Sequence, residues 1–199
     1  MEEKSITPQE SLSIIQQMIA DTRERVINDG FFFLLWGILV ISGCLITYFA
    51  HVYKTYQIIN PSWMILMVTG AVWSVIASIR QGRKERVKSH IGYIGQMLWM
   101  AFLASMFIVI FLVQDQELKS TILFILMGLA TFTSGAILGF TPLYVGGVIF
   151  WGASIIYPQI SFPYNSLFFA AMVFIGYVIP GLLLSRKVKK NKQVLLSAV

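Results

Sequence analysis

The sequence predicts an all-α fold, a polytopic bundle of six transmembrane helices preceded by an amphipathic helix. Of its 199 residues, 57% are hydrophobic and only 12% are charged, which is not the balance of a soluble domain. Charged residues and Pro-containing turns separate six long apolar segments, and most of the basic residues fall in segments that six crossings place on one side. Six spans of about 20 residues use most of the chain and leave little for a second domain.

Residues 1–30 are predicted to form a cytoplasmic amphipathic helix. Thr7 can cap its start, Pro8 occupies the first helical position, and Glu10 follows three residues after the cap. Apolar residues then recur at helical spacing, including Leu12, Ile15 and Ile19. This helix either lies on its own bundle or docks to a separate cytoplasmic protein. Because the segment carries more acidic than basic residues, we expect no cleaved leader and a first span that acts as a signal anchor.

Six apolar segments without charge follow this helix. They lie at about 31–50, 61–79, 91–113, 120–140, 142–160 and 166–184. From Ser120 to Ser185 there is no charged residue, so only Pro-containing turn signals divide the last three segments. Three spans fit this length, although a re-entrant segment buried in protein between residues 120 and 165 is the alternative.

The basic residues predict the orientation of the bundle. With six spans and a cytoplasmic N-terminus, 13 of the 15 Lys and Arg residues lie on the cytoplasmic side, and only Lys54 and Lys119 lie outside. The positive-inside rule therefore predicts that both termini are cytoplasmic. The inner cations include a basic tail, 185–199, and a basic second loop with Arg83, Lys84, Arg86 and Lys88.

The predicted spans contain no ionisable machinery. No Asp, Glu, Lys, Arg or His lies well inside them, whereas pumps, proton-coupled carriers and voltage sensors keep such groups in the membrane. Ser134 precedes a glycine as in some serine sites, but the spans offer no His or Lys to activate it. The lone Cys44 can form neither an intramolecular disulfide nor a cysteine metal cluster. We therefore predict no catalytic, cofactor-binding or metal-binding residue, no bound cofactor, no enzymatic activity and no nucleic-acid partner.

Small residues spaced four apart predict close helix packing. The predicted set comprises Gly70, Ser74 and Ser78 on the second span and Gly135 and Gly139 on the fourth. On the sixth span, Pro180 cannot donate to the carbonyl of Gly176, so we expect a kink there. These residues are interpreted as packing within one bundle, with a homodimer seam as the alternative.

Several short segments resemble a known group of proteins. They are the helix from Ser11 to Ile19, Phe33-Leu34-Leu35-Trp36-Gly37, Gly146-Gly147-Val148-Ile149-Phe150-Trp151, and Pro180-Gly181 before a Lys-rich end. Together they resemble a family of small, uncharacterised bacterial multipass membrane proteins with six helices. The resemblance implies a bacterial cytoplasmic (inner) membrane, and it implies no activity, cofactor or catalytic residue.

Our leading functional hypothesis is a non-enzymatic interaction or regulatory module. Its docking face combines the amphipathic helix with the basic loop, and its partners are the lipid bilayer and either a cytoplasmic protein or a second copy. The alternative is a small-molecule binding or transport subunit similar to the substrate-binding components of energy-coupling-factor transporters. The first span lacks the alanine-spaced motif with which those components engage their partner.

Overall fold

The computed structural model describes residues 30–82 and 90–197, and the regular secondary structure in these ranges is helical. The α-helices are α1 Phe31–Val52, α2 Ile59–Gly82, α3 His90–Leu112, α4 Gln116–Leu138, α5 Thr141–Ile156, α6 Tyr164–Val173 and α7 Ile179–Ser197. A 3-10 turn, Tyr56–Ile58, precedes α2, and another, Tyr157–Gln159, follows α5. A π-helical stretch, Phe174–Val178, joins α6 to α7 without a break. The predicted all-helical fold is therefore confirmed.

Within residues 30–82 and 90–197, five helical segments are long and apolar enough to cross a membrane. They are Phe31–Val52, Tyr56–Arg80, Gly92–Leu112, Gln116–Leu138 and Tyr164–Val188. The predicted segment 142–160 differs, because its α-helical part has only 16 residues and then tightens into the 3-10 turn at Tyr157. Pro158 lies in that turn and cannot donate an α-helical hydrogen bond. The last helix is longer than the predicted span 166–184. Helix α7 continues through the residues predicted as a basic tail to Ser197, as the helix propensity of Lys and Arg allows.

Helix α1 runs antiparallel to the continuous α6–α7 rod. Near the end of α1, the Tyr48 ring lies 6.2 Å from the Tyr164 ring at the start of α6. At the other end, Gly30 packs directly against the backbone of Gly181. We call the end with Gly30, Phe140 and Lys187 the basic pole, and the end with Tyr48, His51 and Tyr164 the aromatic pole.

Helices α4 and α5 form a tight antiparallel hairpin. Gly139 ends α4 in the left-handed conformation, with φ 61°, and Pro142 lies in the first turn of α5. The two backbones approach so closely that a Cβ on Gly147 would lie 2.9 Å from the carbonyl oxygen of Gly128. Near the middle, Trp151 Nε1 donates to the carbonyl of Ile125 at 3.2 Å. Helix α5 thus starts at the basic pole and runs beside α4 toward the aromatic pole.

Aromatic rings fill the interior between α1, α4, α5 and α6. The Phe124 ring lies 4.2 Å from Phe169 and 6.1 Å from Phe150. Phe150 in turn lies 5.1 Å from Tyr177, whose ring is 5.6 Å from Phe33. Phe124 and Phe150 are both completely buried. These offset and edge-to-face contacts form a continuous packed core, as aromatic pairs prefer.

Helices α2 and α3 lie at the periphery of this core. Helix α2 packs on α1, and α3 packs on α4. The Trp99 ring of α3 also lies 5.8 Å from the Phe33 ring of α1. In the most apolar stretch of α3, 0% of the residues are buried, against 39% in α4. The large apolar side chains that α2 and α3 expose would be unfavourable in water but match hydrocarbon. The arrangement is that of a transmembrane helical protein.

Candidate functional site

Three buried Ser and Thr hydroxyl groups of the bundle donate to carbonyls of their own helices. Thr131 Oγ1 donates to the carbonyl of Met127, Ser134 Oγ to that of Ala130, and Ser154 Oγ to that of Trp151, each at 2.7 Å. Such bonds replace the partners that hydrocarbon lacks. Ser134, considered above as a serine site, therefore has a structural hydrogen bond.

The aromatic pole holds two buried polar atoms that have no hydrogen-bond partner within the described ranges. Asn165, in the first turn of α6, is only 5% exposed, and its Oδ1 accepts no hydrogen bond within the described ranges. The same holds for His51 Nδ1 near the end of α1. The His51 ring packs edge-on against Phe162, with the centroids 4.6 Å apart. Buried polar atoms of this kind are usually satisfied by water or a ligand, so this pole is the strongest candidate for a polar binding site.

Among the residues that the structure describes, the Tyr177 hydroxyl in the core is a third buried polar atom without a hydrogen-bond partner. It lies close to Thr131, whose own hydroxyl proton is directed to Met127. The sequence did not predict any of these three side chains as part of a site. A His beside a Tyr-rich and Pro-rich span end was the available signal for the aromatic pole, whereas nothing in the sequence placed Tyr177 in the core.

Of the packing residues predicted on α2, two lie against α1. A Cβ on Gly70 would lie 2.7 Å from Leu39 Cδ1, and Ser74 Oγ accepts a hydrogen bond from Trp36 Nε1 at 3.1 Å. Ser78, one turn further, is exposed. The small face of α2 is therefore used within the bundle at Gly70 and Ser74, and only Ser78 is left for another contact.

The two glycines predicted on the fourth span have different positions. Gly135 packs on α5, where a Cβ would lie 2.9 Å from the Tyr144 nitrogen. Gly139 is exposed and forms the left-handed end of α4, a position that glycine occupies because it has no Cβ. Two turns earlier on α4, Gly128 also packs closely on α5, where it faces Gly147 and Trp151.

Gly176 and Pro180 lie where the last rod crosses α5. Gly176 is part of the π-helical stretch, and a Cβ there would lie 2.6 Å from the Phe150 ring. A Cβ on Gly146 of α5 would lie equally close, 2.6 Å, to the Gly176 carbonyl oxygen. A kink at Pro180 stays a prediction, and the backbone just before it forms the π-helical stretch, a feature found where regular helical hydrogen bonding is interrupted.

The candidate docking residues belong to two segments, the N-terminal segment and the basic second loop. Leu12, Ile15 and Ile19 of the N-terminal segment lie outside the described residues. So do the loop cations Arg83, Lys84, Arg86 and Lys88. The docking face therefore remains a prediction from the sequence.

Metal-binding chemistry finds no support in the described ranges. Residues 30–82 and 90–197 contain no group of three or more His, Cys, Asp or Glu side chains that could hold a metal ion. Cys44, the free cysteine of α1, is buried.

The fold and these side chains define the class as an α-helical transmembrane protein. Comparison with protein-family models, with curated proteins and with solved structures gives no match for this chain.

Proposed function

We propose that this chain is a non-enzymatic multipass protein of a bacterial cytoplasmic membrane, with six spans and both termini in the cytoplasm. It acts as an interaction or regulatory module whose docking face comprises the amphipathic helix at 1–30 and the basic loop with Arg83, Lys84, Arg86 and Lys88. The observation that carries the proposal is the packed aromatic interior, which runs from Phe33 through Tyr177 and Phe150 to Phe124. When the side chains of a protein's interior serve only to pack against one another, the protein acts through its exposed faces.

The direction and length of α5 support six spans. Its 16 residues rise about 24 Å, and the 3-10 turn adds about 6 Å, so the two together match a hydrocarbon core of about 30 Å. Helix α5 begins near Lys187, which lies over Phe140, and ends where Tyr157 meets Phe124 and Phe169. If α5 did not cross, the basic tail and the basic loop would lie on opposite sides of the membrane, against the positive-inside rule.

Cysteine labelling tests this orientation. In a Cys44→Ala background, Gln159→Cys should react with a membrane-impermeant maleimide in intact cells, whereas Thr141→Cys and Lys190→Cys should react only after permeabilisation. All three positions are exposed, so sidedness decides their reactivity. Lys54→Cys is the matched control for the outer side. Reaction of Thr141→Cys and Gln159→Cys from the same side would contradict six spans.

The docking face is tested with the intact protein. Residues Ile15 and Ile19 lie on the apolar side of the predicted helix, so Ile15→Asp with Ile19→Asp should abolish co-purification of a defined partner, about a hundredfold loss or more if each contributes like a buried interface side chain. Gln16→Asp adds the same charge on the polar side and should leave the partner bound. The readout is quantitative mass spectrometry after cross-linking in native membranes.

Two results would count against the docking face. One is recovery of chaperones alone from the wild-type protein, together with no phenotype on deleting residues 1–28. The other is a ligand-induced rise in melting temperature that requires Asn165, which would favour a small-molecule binding subunit because Asn165 Oδ1 and His51 Nδ1 are buried without a partner within the described ranges.

A further inference from the structure

An open apolar groove lies on the outer surface of the bundle between α5 and the last rod. Its volume is about 330 Å³. One wall is formed by Thr141, Val145 and Ile149 of α5, and the other by Ile175, Ile179 and Leu183. Each wall covers nine residues, or about 12 Å along its helix. The lining is almost entirely apolar, with the hydroxyl of Thr141 at one end.

Basic side chains continue the groove at the basic pole. Lys187 follows Leu183 by four residues on α7 and so lies on the same face. Its Nζ lies 5.5 Å from the centre of the Phe140 ring, beside the Thr141 end of the groove. Arg186 and Lys190 are exposed next to it. The first turn of α5 also lies there, and a helix N-terminus favours negative charge.

We propose that this groove binds one acyl chain of an anionic glycerophospholipid, with the headgroup phosphate against Lys187. An acyl chain suits the groove because both walls are apolar for about 12 Å along their helices, and Lys187 continues the α7 wall at one end. The apolar walls lie within segments that match hydrocarbon, and the cations lie where they end. Basic residues in this position at a membrane surface bind anionic headgroups.

The charges of the described residues favour an anionic lipid over a zwitterionic one. The acidic side chains within residues 30–82 and 90–197 are Asp115 and Glu117, both at the start of α4 and therefore toward the aromatic pole. Among the described residues, the charged side chains at the mouth of the groove are all cations. A phosphate there meets no described carboxylate.

The test uses the full-length protein purified in detergent and mixed with dioleoyl phosphatidylglycerol or dioleoyl phosphatidylcholine. Native mass spectrometry counts the retained lipid, and the melting temperature is followed in parallel. We expect tighter retention of phosphatidylglycerol, with affinity reduced about fivefold in Lys187→Gln. Arg80→Gln removes the same charge from the last turn of α2, away from the groove, and should retain the lipid like wild type.

A second pair of variants tests the groove itself. Val145→Trp fills the groove, whereas Val148→Trp adds the same ring to an α5 position outside it. Both valines are about half exposed, at 53% and 54%, so neither change disturbs the core. Only Val145→Trp should lose bound phosphatidylglycerol.

Three outcomes would overturn the proposal. They are equal retention of the two lipids, equal effects of Lys187→Gln and Arg80→Gln, and unchanged lipid retention in Val145→Trp. If Val145→Trp converts a dimer to a monomer while lipid retention is unchanged, the groove binds a second copy of this chain instead.

Discussion

Replacement of Phe150 with alanine is expected to lower the free energy of unfolding by about 3–5 kcal/mol. Phe150 is 0% exposed, and its ring contacts Phe124, Tyr177 and the backbone at Gly176. Truncation leaves a cavity at the centre of the core, where two helices and the π-helical stretch meet. Because the side chain leaves lipid rather than water when the protein folds, the loss is one of packing contacts.

The measurement is reversible unfolding in mixed micelles, with Phe107→Ala as the matched control. Phe107, on α3, is 54% exposed. Its replacement with alanine removes the same atoms from a lipid-facing surface. Its truncation should change the free energy of unfolding by only about 0.5 kcal/mol. Equal destabilisation by the two substitutions would mean that Phe150 does not occupy a packed core.

The long apolar helices could be predicted from the sequence because charge is costly in hydrocarbon. Each of the six predicted apolar segments is largely helical, and the ends of α1 and α4 differ from the predicted ends by only a few residues. The end of α5 was harder to predict. Between Ser120 and Ser185 no charged residue separates helix from turn, so the tightening at Tyr157 depends on local backbone geometry that hydropathy does not report.

Glycine spacing predicted close packing but not the role of each glycine. Gly135 and Gly139 have the same spacing as a packing motif, yet Gly139 adopts φ 61° at the end of α4. Spacing records only which residues share a face, whereas the helix end depends on where regular hydrogen bonding stops. The pairing of Gly146 with Gly176 was also out of reach, because it requires knowing which helices cross.

Side-chain partners between helices could not be predicted for the same reason. Trp36 and Trp63 of the described bundle donate to Ser74 and Thr47, respectively, and each bond joins α1 to α2. The sequence identifies these as polar groups that need partners in a membrane, but it does not identify the partner. Likewise, Asn165 stood between two predicted spans, without any sign that its side chain is buried and, within the described ranges, without a hydrogen-bond partner.

Gly146→Ala is expected to lower the free energy of unfolding by about 1–3 kcal/mol. A Cβ at Gly146 would lie 2.6 Å from the carbonyl oxygen of Gly176. A backbone atom cannot move aside as the end of a flexible side chain can, so α5 and the π-helical stretch must separate. Their separation also loosens the contact between Phe150 and Gly176, since both contacts belong to one crossing.

Gly152→Ala is the matched control on the same helix. A Cβ at Gly152 meets no other atom within 4 Å, and alanine is favoured over glycine in a helix by about 1 kcal/mol, so this variant should unfold at the same or a higher temperature. The pair also separates the two interpretations of the small residues. If Gly152→Ala destabilised the protein in lipid while Gly146→Ala did not, the close approach on α5 would lie between two copies of the chain.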